Sequence, residues 1–132
     1  MLDTNTVSYI VKGRSMAARQ ALDGLGDNEV PCISAIVEGE LRYGLVKRPQ
    51  AGALHAWIEA FIDGIQVLSW GRAEARVYGE LRARQEASGK ILDHLDLMIA
   101  AHALAAGATL VTNDKVFAQV EGLRVVRWAT DL

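Results

Sequence analysis

Short apolar runs alternate along this chain with longer stretches of helical period. Met1-Leu2 reads as a clipped strand that ends at Asp3-Thr4-Asn5. Helices are expected over Thr6–Lys12 and Ser15–Leu25, broken by Gly13 and Gly24. Val30–Ile33 is a short strand, and Ser34 then caps a helix running to about Val46, with Pro49 beyond it. Another helix fits Gly52–Ile62, stopped by Gly64, and Ile65–Leu68 is again a strand. Arg72–Ala87 is amphipathic and ends at Ser88-Gly89. Leu95–Ala106 is a helix with Gly107 just past its end. Leu110–Thr112 and Leu123–Val126 are the last strands. Strands separated by helical crossovers pair in parallel, which gives a three-layer α/β domain around a mostly parallel sheet of four to five strands. No linker or repeat interrupts the pattern, so residues 1–132 read as a single domain. In open sheets of this kind ligands collect beyond the carboxyl ends of strands, near a switch in strand order.

The acidic residues break this pattern in informative places. At ~100° per residue, Ile36, Val37, Leu41 and Gly44 share one helical stripe, and Glu40 lies in the middle of it. Glu38 lies well round the helix, four residues before Arg42, where an exposed ion pair is natural. A carboxylate on an inward face needs a cation, a proton or a metal. A salt bridge to an arginine meets that need as well as a metal does. Asp3 follows a strand and opens a helix, where an N-cap is the simpler reading. Leu95–Ala106 is apolar except for Asp96 and His102, so the helix is buried nearly all round. Asp96 shares a face with Ile99, Ala100 and Ala103, while Asp93 is placed to cap the helix. His102 is six residues beyond Asp96, too far round the helix to pair with it, and reads as a satisfied core or interface histidine. Asp114 follows the strand before it, beside Thr112 and Asn113, and alone is an ordinary turn residue.

Each acid is a weak signal singly. Parallel α/β topology can bring Asp3, Glu40, Asp96 and Asp114 to one edge of the sheet. Oxygen-only ligands suit Mg²⁺ or Mn²⁺, which keep waters and bind phosphate oxygens. Such a site can activate water against a phosphodiester. Zinc is disfavoured, because His55, His94 and His102 have no ligand spacing with each other or with Cys32. No Gly-rich phosphate loop occurs.

Composition narrows the picture further. The chain has 132 residues, 51% of them hydrophobic, which is enough for a real core and argues against disorder. A net charge of −2 argues against binding nucleic acid mainly through a global positive field, but not against an enzyme that meets nucleic acid through a metal. One cysteine, Cys32, and a start with Asp3 where a signal peptide would begin fit a reducing cytoplasm. The most apolar run, Leu97–Val111, contains His102 and is shorter than the roughly 20 residues of a bilayer span. No membrane association is expected.

The chain resembles the PIN-domain ribonucleases of the VapC toxin family. The resemblance rests on "LDTN" at Leu2–Asn5, "ELRYG" at Glu40–Gly44, "LDLMIAAHALAAGATLVTND" at Leu95–Asp114 and the ending "EGLRVVRW" at Glu121–Trp128. It implies a PIN-like α/β/α fold and a metal-dependent endoribonuclease that cuts structured RNA and arrests growth. It implies Asp3, Glu40, Asp96 and Asp114 as the Mg²⁺ or Mn²⁺ cluster, supported by Asn5, Thr112 and Asn113. It also implies a homodimer and a VapB-like antitoxin partner that wraps the toxin and offers an arginine to the acids. The chain departs from the family pattern in having Val37 where Ser or Thr is common, Gly39 within a helix, and Asp114 where relatives often carry an amide. "KILDHL" leaves Asp93 as a possible outer acid. Only two residues precede Asp3, fewer than relatives commonly have, so a weak first strand is expected. Lys12, Arg14, Lys47, Lys90 and Lys115 are candidate rim contacts for substrate.

Two other readings compete with this one. An aspartyl-phosphate hydrolase would use Asp3 as nucleophile, but "DTN" lacks the second aspartate two residues on. A non-catalytic PIN-like protein-binding module needs none of the four acids, and all four are present.

Overall fold

Residues 1–3 occupy the middle of the sheet. The computed structural model describes all 132 residues, Met1 to Leu132. Leu2 bridges Val111 in parallel, and its N–H donates to the Cys32 carbonyl at 2.9 Å. The Asp3 N–H donates to the Val111 carbonyl at 3.1 Å. On one side of this segment lies β1 (Cys32–Ser34), with β2 (Gln66–Leu68) beyond it. On the other side lies β3 (Leu110–Val111), with β4 (Val125–Val126) beyond it. The β1–β2, β3–β4 and Leu2–Val111 pairings are parallel. The strand order therefore reverses at residues 1–3, where the chain first leaves the sheet.

The crossovers divide the helices between two faces. α1 (Thr4–Val11), α2 (Met16–Asp23), α3 (Ala35–Val46) and α4 (Gly52–Gly64) connect strands that step one way across the sheet. α5 (Arg72–Ala87) and α6 (His94–Ala106) carry the chain back the other way. Right-handed crossovers put the two sets on opposite faces. Accordingly α1 packs on α2, α3 and α4, and α5 packs on α6. Between them the sheet buries Leu2, Ile33, Leu110 and Val111. A buried leucine in such a position is worth about 2–5 kcal/mol against alanine. No helix is long and apolar enough to cross a membrane.

Side-chain caps start the helices, and they move several expected boundaries. Asp3 Oδ1 accepts from the Thr6 N–H at 2.8 Å, so α1 begins at Thr4 rather than Thr6. Thr4 and Asn5 therefore belong to a helix and not to the end of a strand. Ser15 caps α2, Ser34 caps α3 and Asp93 caps α6. Gly107 closes α6 at φ 63°, a conformation open to glycine. In α3 the buried stripe is Val37, Leu41 and Leu45, with Ile36 and Gly44 only half-buried. Glu40 thus sits at the border of the core and not in the middle of its stripe. Beyond β3, Lys115–Gln119 form a 3₁₀ turn that the apolar pattern did not disclose, capped by Asp114.

Candidate active site

Asp3 lies at the carboxyl end of the central segment, at the point where strand order reverses. This is where open parallel sheets gather ligands, because the helices on either side diverge there. Asp3 is buried at 5% exposure, and its Oδ1 is held by the first turn of α1. Glu40 approaches from α3, whose start is fixed by the Ser34 cap at the end of β1. Its Oε1 accepts from the Thr4 hydroxyl at 2.7 Å. Asp96 lies in the first turn of α6, where its own N–H donates to the Asp93 cap at 2.9 Å. Asp114 follows β3, is exposed, and accepts from the Val116 N–H at 3.0 Å.

The four acids line one cavity of about 110 Å³, together with Thr4 and Asn5, over Ile99 and Phe117. No lysine, arginine or histidine lines it. Excess negative charge is therefore met only by hydroxyl, amide and backbone donors. Asp96 registers the result: its pKa is raised from 3.8 to about 6. Partial burial is the main cause, followed by the charges of Asp93 and Asp114, a carboxyl hydrogen bond with Asp93, and the charge of Glu40. Asp93 thus acts on Asp96 from outside the cavity.

The carboxylates share the cavity without converging on one point. No three carboxylate, imidazole or thiol groups reach metal-ligand spacing. Like charges hold one another apart, and caps already fix one oxygen each of Asp3 and Asp114. The donor set is nevertheless all oxygen and strongly anionic. That fits a hard divalent cation such as Mg²⁺ or Mn²⁺ and does not fit zinc. The nitrogen and sulfur groups are committed elsewhere. His102 Nδ1 bonds Ser34 Oγ at 2.7 Å in the core, and Cys32 is buried in β1.

The supporting residues separate. Asn5 lines the cavity. Thr112 is buried behind it and accepts from the Asp114 N–H at 3.0 Å, which orients the turn that carries Asp114. Asn113 does not line the cavity, and its Oδ1 is buried without a hydrogen-bond partner. Its Nδ2 donates to the Ala129 carbonyl at 2.8 Å, because successive residues leaving a strand point to opposite sides. Thr4 was not singled out from sequence, since the pattern assigned it to a strand end. Its signal was present: a hydroxyl directly after the capping aspartate falls in the first helical turn.

A PIN-domain model matches residues 1–123 of the chain. Ribonuclease VapC2 of Rickettsia felis is 34% identical over 129 residues, covering 97% of this chain and 96% of the relative. The tRNA(fMet)-specific endonuclease VapC of Shigella flexneri is 35% identical over 130 residues, covering 98% and 97%. Among solved structures, VapBC2 from Rickettsia felis bound to a fragment of its promoter DNA is similar at a TM-score of 0.91. It is 33% identical and covers 97% of each chain. DNA-bound VapBC from Salmonella typhimurium is similar at 0.88, with 33% identity over 97% of this chain and 96% of that one. The chain thus belongs to the PIN-domain family, within its VapC group.

Proposed function

We propose that this chain is a metal-dependent endoribonuclease, the toxin of a toxin–antitoxin pair, folded as one PIN domain and acting in the cytoplasm. The observation that carries the reading is a single cavity lined by four carboxylates with no side-chain cation to neutralise them. Asp3, Glu40, Asp96 and Asp114 would hold Mg²⁺ or Mn²⁺. When bound, such an ion supplies positive charge to phosphoryl oxygens and makes a nearby water a better nucleophile. The chain's own groups do the positioning. The Thr6 N–H holds Asp3, the Thr4 hydroxyl holds Glu40, and the Asp93 cap fixes the turn that carries Asp96. Hydrolysis adds the water oxygen to phosphorus and breaks one P–O ester bond. The products are a phosphate monoester and a free hydroxyl, with the water's proton passing to the leaving oxygen. Relatives solved as VapBC assemblies support a VapB-like antitoxin as partner, and the proposed toxin is a homodimer.

The test is cleavage of structured RNA with Mg²⁺ or Mn²⁺ by the unchanged chain and by Asp3→Asn and Asp96→Asn. Folding is checked by circular dichroism. Loss of cutting by both folded variants, and by the unchanged chain in chelator, is expected. A folded Asp96→Asn chain that cuts at the unchanged rate overturns the assignment.

A further inference from the structure

A second groove, of about 210 Å³, opens directly beside the acidic cavity, and its chemistry is the reverse. Thr4, Asn5 and Glu40 line both, so the two form one continuous depression running between α1 and α3. The floor is apolar, built from Leu41, Leu45, Leu54 and Ile58. The walls carry Lys12 at the end of α1, and Tyr43, Lys47 and Arg48 at the end of α3. None of the three cations is in an ion pair, although Arg19, Arg42 and Arg82 are each paired with a carboxylate. Tyr43 is 64% exposed, an unusual state for a large aromatic ring. The Lys47 ammonium lies 5.1 Å from the centre of that ring.

On a chain of net charge −2, three unpaired cations in one groove are a local concentration and not a general tendency. Unpaired strands of nucleic acid are bound by this combination: cations that follow the phosphates, and an exposed ring on which a base stacks. The Lys47 ammonium lies over one face of the Tyr43 ring as a cation–π contact, so a base would stack on the opposite face while Lys47 meets an adjacent phosphate. The anionic cavity next door has the opposite preference and can accept a phosphate only with a cation between them. A strand crossing both would be anchored in the groove while the bond to be cut lies over the carboxylates.

We infer that the groove walled by Lys12, Lys47, Arg48 and Tyr43 is a subsite for an unpaired stretch of substrate RNA beside the cleaved bond. Lys12, Lys47 and Arg48 hold its phosphates and Tyr43 stacks on a base. Of the basic residues expected near the rim, Lys12 and Lys47 line this groove and Arg14, Lys90 and Lys115 do not. This inference rests on the ribonuclease reading.

The experiment is fluorescence anisotropy with a labelled single-stranded RNA and the full chain in chelator, so that cutting does not intervene. Salt is varied from about 50 to 200 mM. Lys12→Gln, Lys47→Gln and Arg48→Gln are each expected to weaken binding and to flatten the slope of log K against log salt by about 0.7. Tyr43→Ala is expected to weaken binding roughly fivefold or more, and Tyr43→Phe to restore it, because the ring and not the hydroxyl stacks. Arg76→Gln, on the exposed side of α5 and lining neither cavity, serves as the control and should change neither quantity. Groove variants that bind as the unchanged chain does, or that weaken no more than Arg76→Gln, overturn the subsite. If the unchanged chain still cuts RNA in Mg²⁺ in that case, only the subsite fails. A chain that neither binds nor cuts RNA overturns the ribonuclease reading along with it. Groove variants that lose an acidic protein partner but keep RNA affinity also count against the subsite.

Discussion

Ser34 and His102 share one hydrogen bond, 2.7 Å long, that joins the start of α3 to the middle of α6. Both residues are buried, at 0% and 1% exposure. Ser34 Oγ also accepts from the Ile36 N–H at 3.0 Å as the α3 cap. Glu74 lies 3.8 Å from His102 Nε2 and favours the ring proton there, which leaves Nδ1 to accept from the serine hydroxyl. One serine therefore fixes the helix that carries Glu40 and satisfies the helix that carries Asp96. Ser34→Ala removes the cap and strands Nδ1 in the core. The expected loss is about 2–4 kcal/mol, combining a cap and an unsatisfied buried acceptor, read by urea denaturation. Ser34→Thr should recover part of it.

The two titrating groups near this axis act in opposite directions with pH. Burial lowers the His102 pKa below 6.5, partly offset by Glu74. Its stabilising contribution is therefore present above about pH 6.5 and is lost as pH falls through the lowered value. Asp96 is raised to about 6, so its contribution is full below 3.8 and lost as pH rises through about 6. Asp96→Asn removes the second dependence and leaves the first. In chelator, the variant should melt several degrees above the unchanged chain at about pH 8 and close to it at about pH 4. Equal differences at both pH values would show that Asp96 is not the group under strain.

Metal should reverse that strain. If Mg²⁺ or Mn²⁺ binds among the four carboxylates as proposed, it would stabilise the folded chain by about 2.7 kcal/mol at a hundred times the dissociation constant. The rise in melting temperature is expected at about pH 8 and should shrink at about pH 5, where Asp96 is protonated. Asp3→Asn keeps a good helix cap and removes a charge, so it should abolish the rise without unfolding the protein. A rise of the same size in Asp3→Asn would place the ion elsewhere.

Thr4 tests whether orientation of Glu40 matters. Thr4→Val preserves shape and deletes the hydroxyl that donates to Glu40 at 2.7 Å. A loss of outer support of this kind lowers activity by roughly tenfold to a hundredfold. Thr4→Ser restores the donor and should restore cleavage in the same assay. An unchanged rate in Thr4→Val would mean that Glu40 is positioned by something other than this bond.

Much of this arrangement was readable in the chain, and the failures have local causes. The periodicity that separated Glu38 from Glu40 holds. Glu38 pairs with Arg42 at 2.6 Å, while Glu40 meets Thr4 in the cavity. His102 is a satisfied core residue, as its place on a helix apolar on all sides implied. Asp3 was read both as a cap and as a site acid; one oxygen makes the cap and the side chain still lines the cavity. Asn113, expected beside the acids, sends its Nδ2 to the Ala129 carbonyl, because neighbours leaving a strand do not share a direction. The groove was only half visible, since Tyr43 and Arg48 acquire meaning when the end of α3 meets Lys12 across space. The 3₁₀ turn escaped because five residues carry too little periodicity to stand out.

The position of residues 1–3 sets a timetable for the molecule. Leu2 is held between Cys32 and Val111, so residues 1–3 wait for β3, made after all six helices, before their place in the sheet closes. Contacts this distant in sequence form slowly and only after the intervening helices exist. A growing chain that has reached α6 already contains Asp3, Glu40 and Asp96, yet lacks β3, which carries Asp114 and pins Leu2. Whatever chemistry the cavity performs is therefore withheld until β3 has been made and has closed on residues 1–3, so a partly made chain never holds the complete acidic cluster.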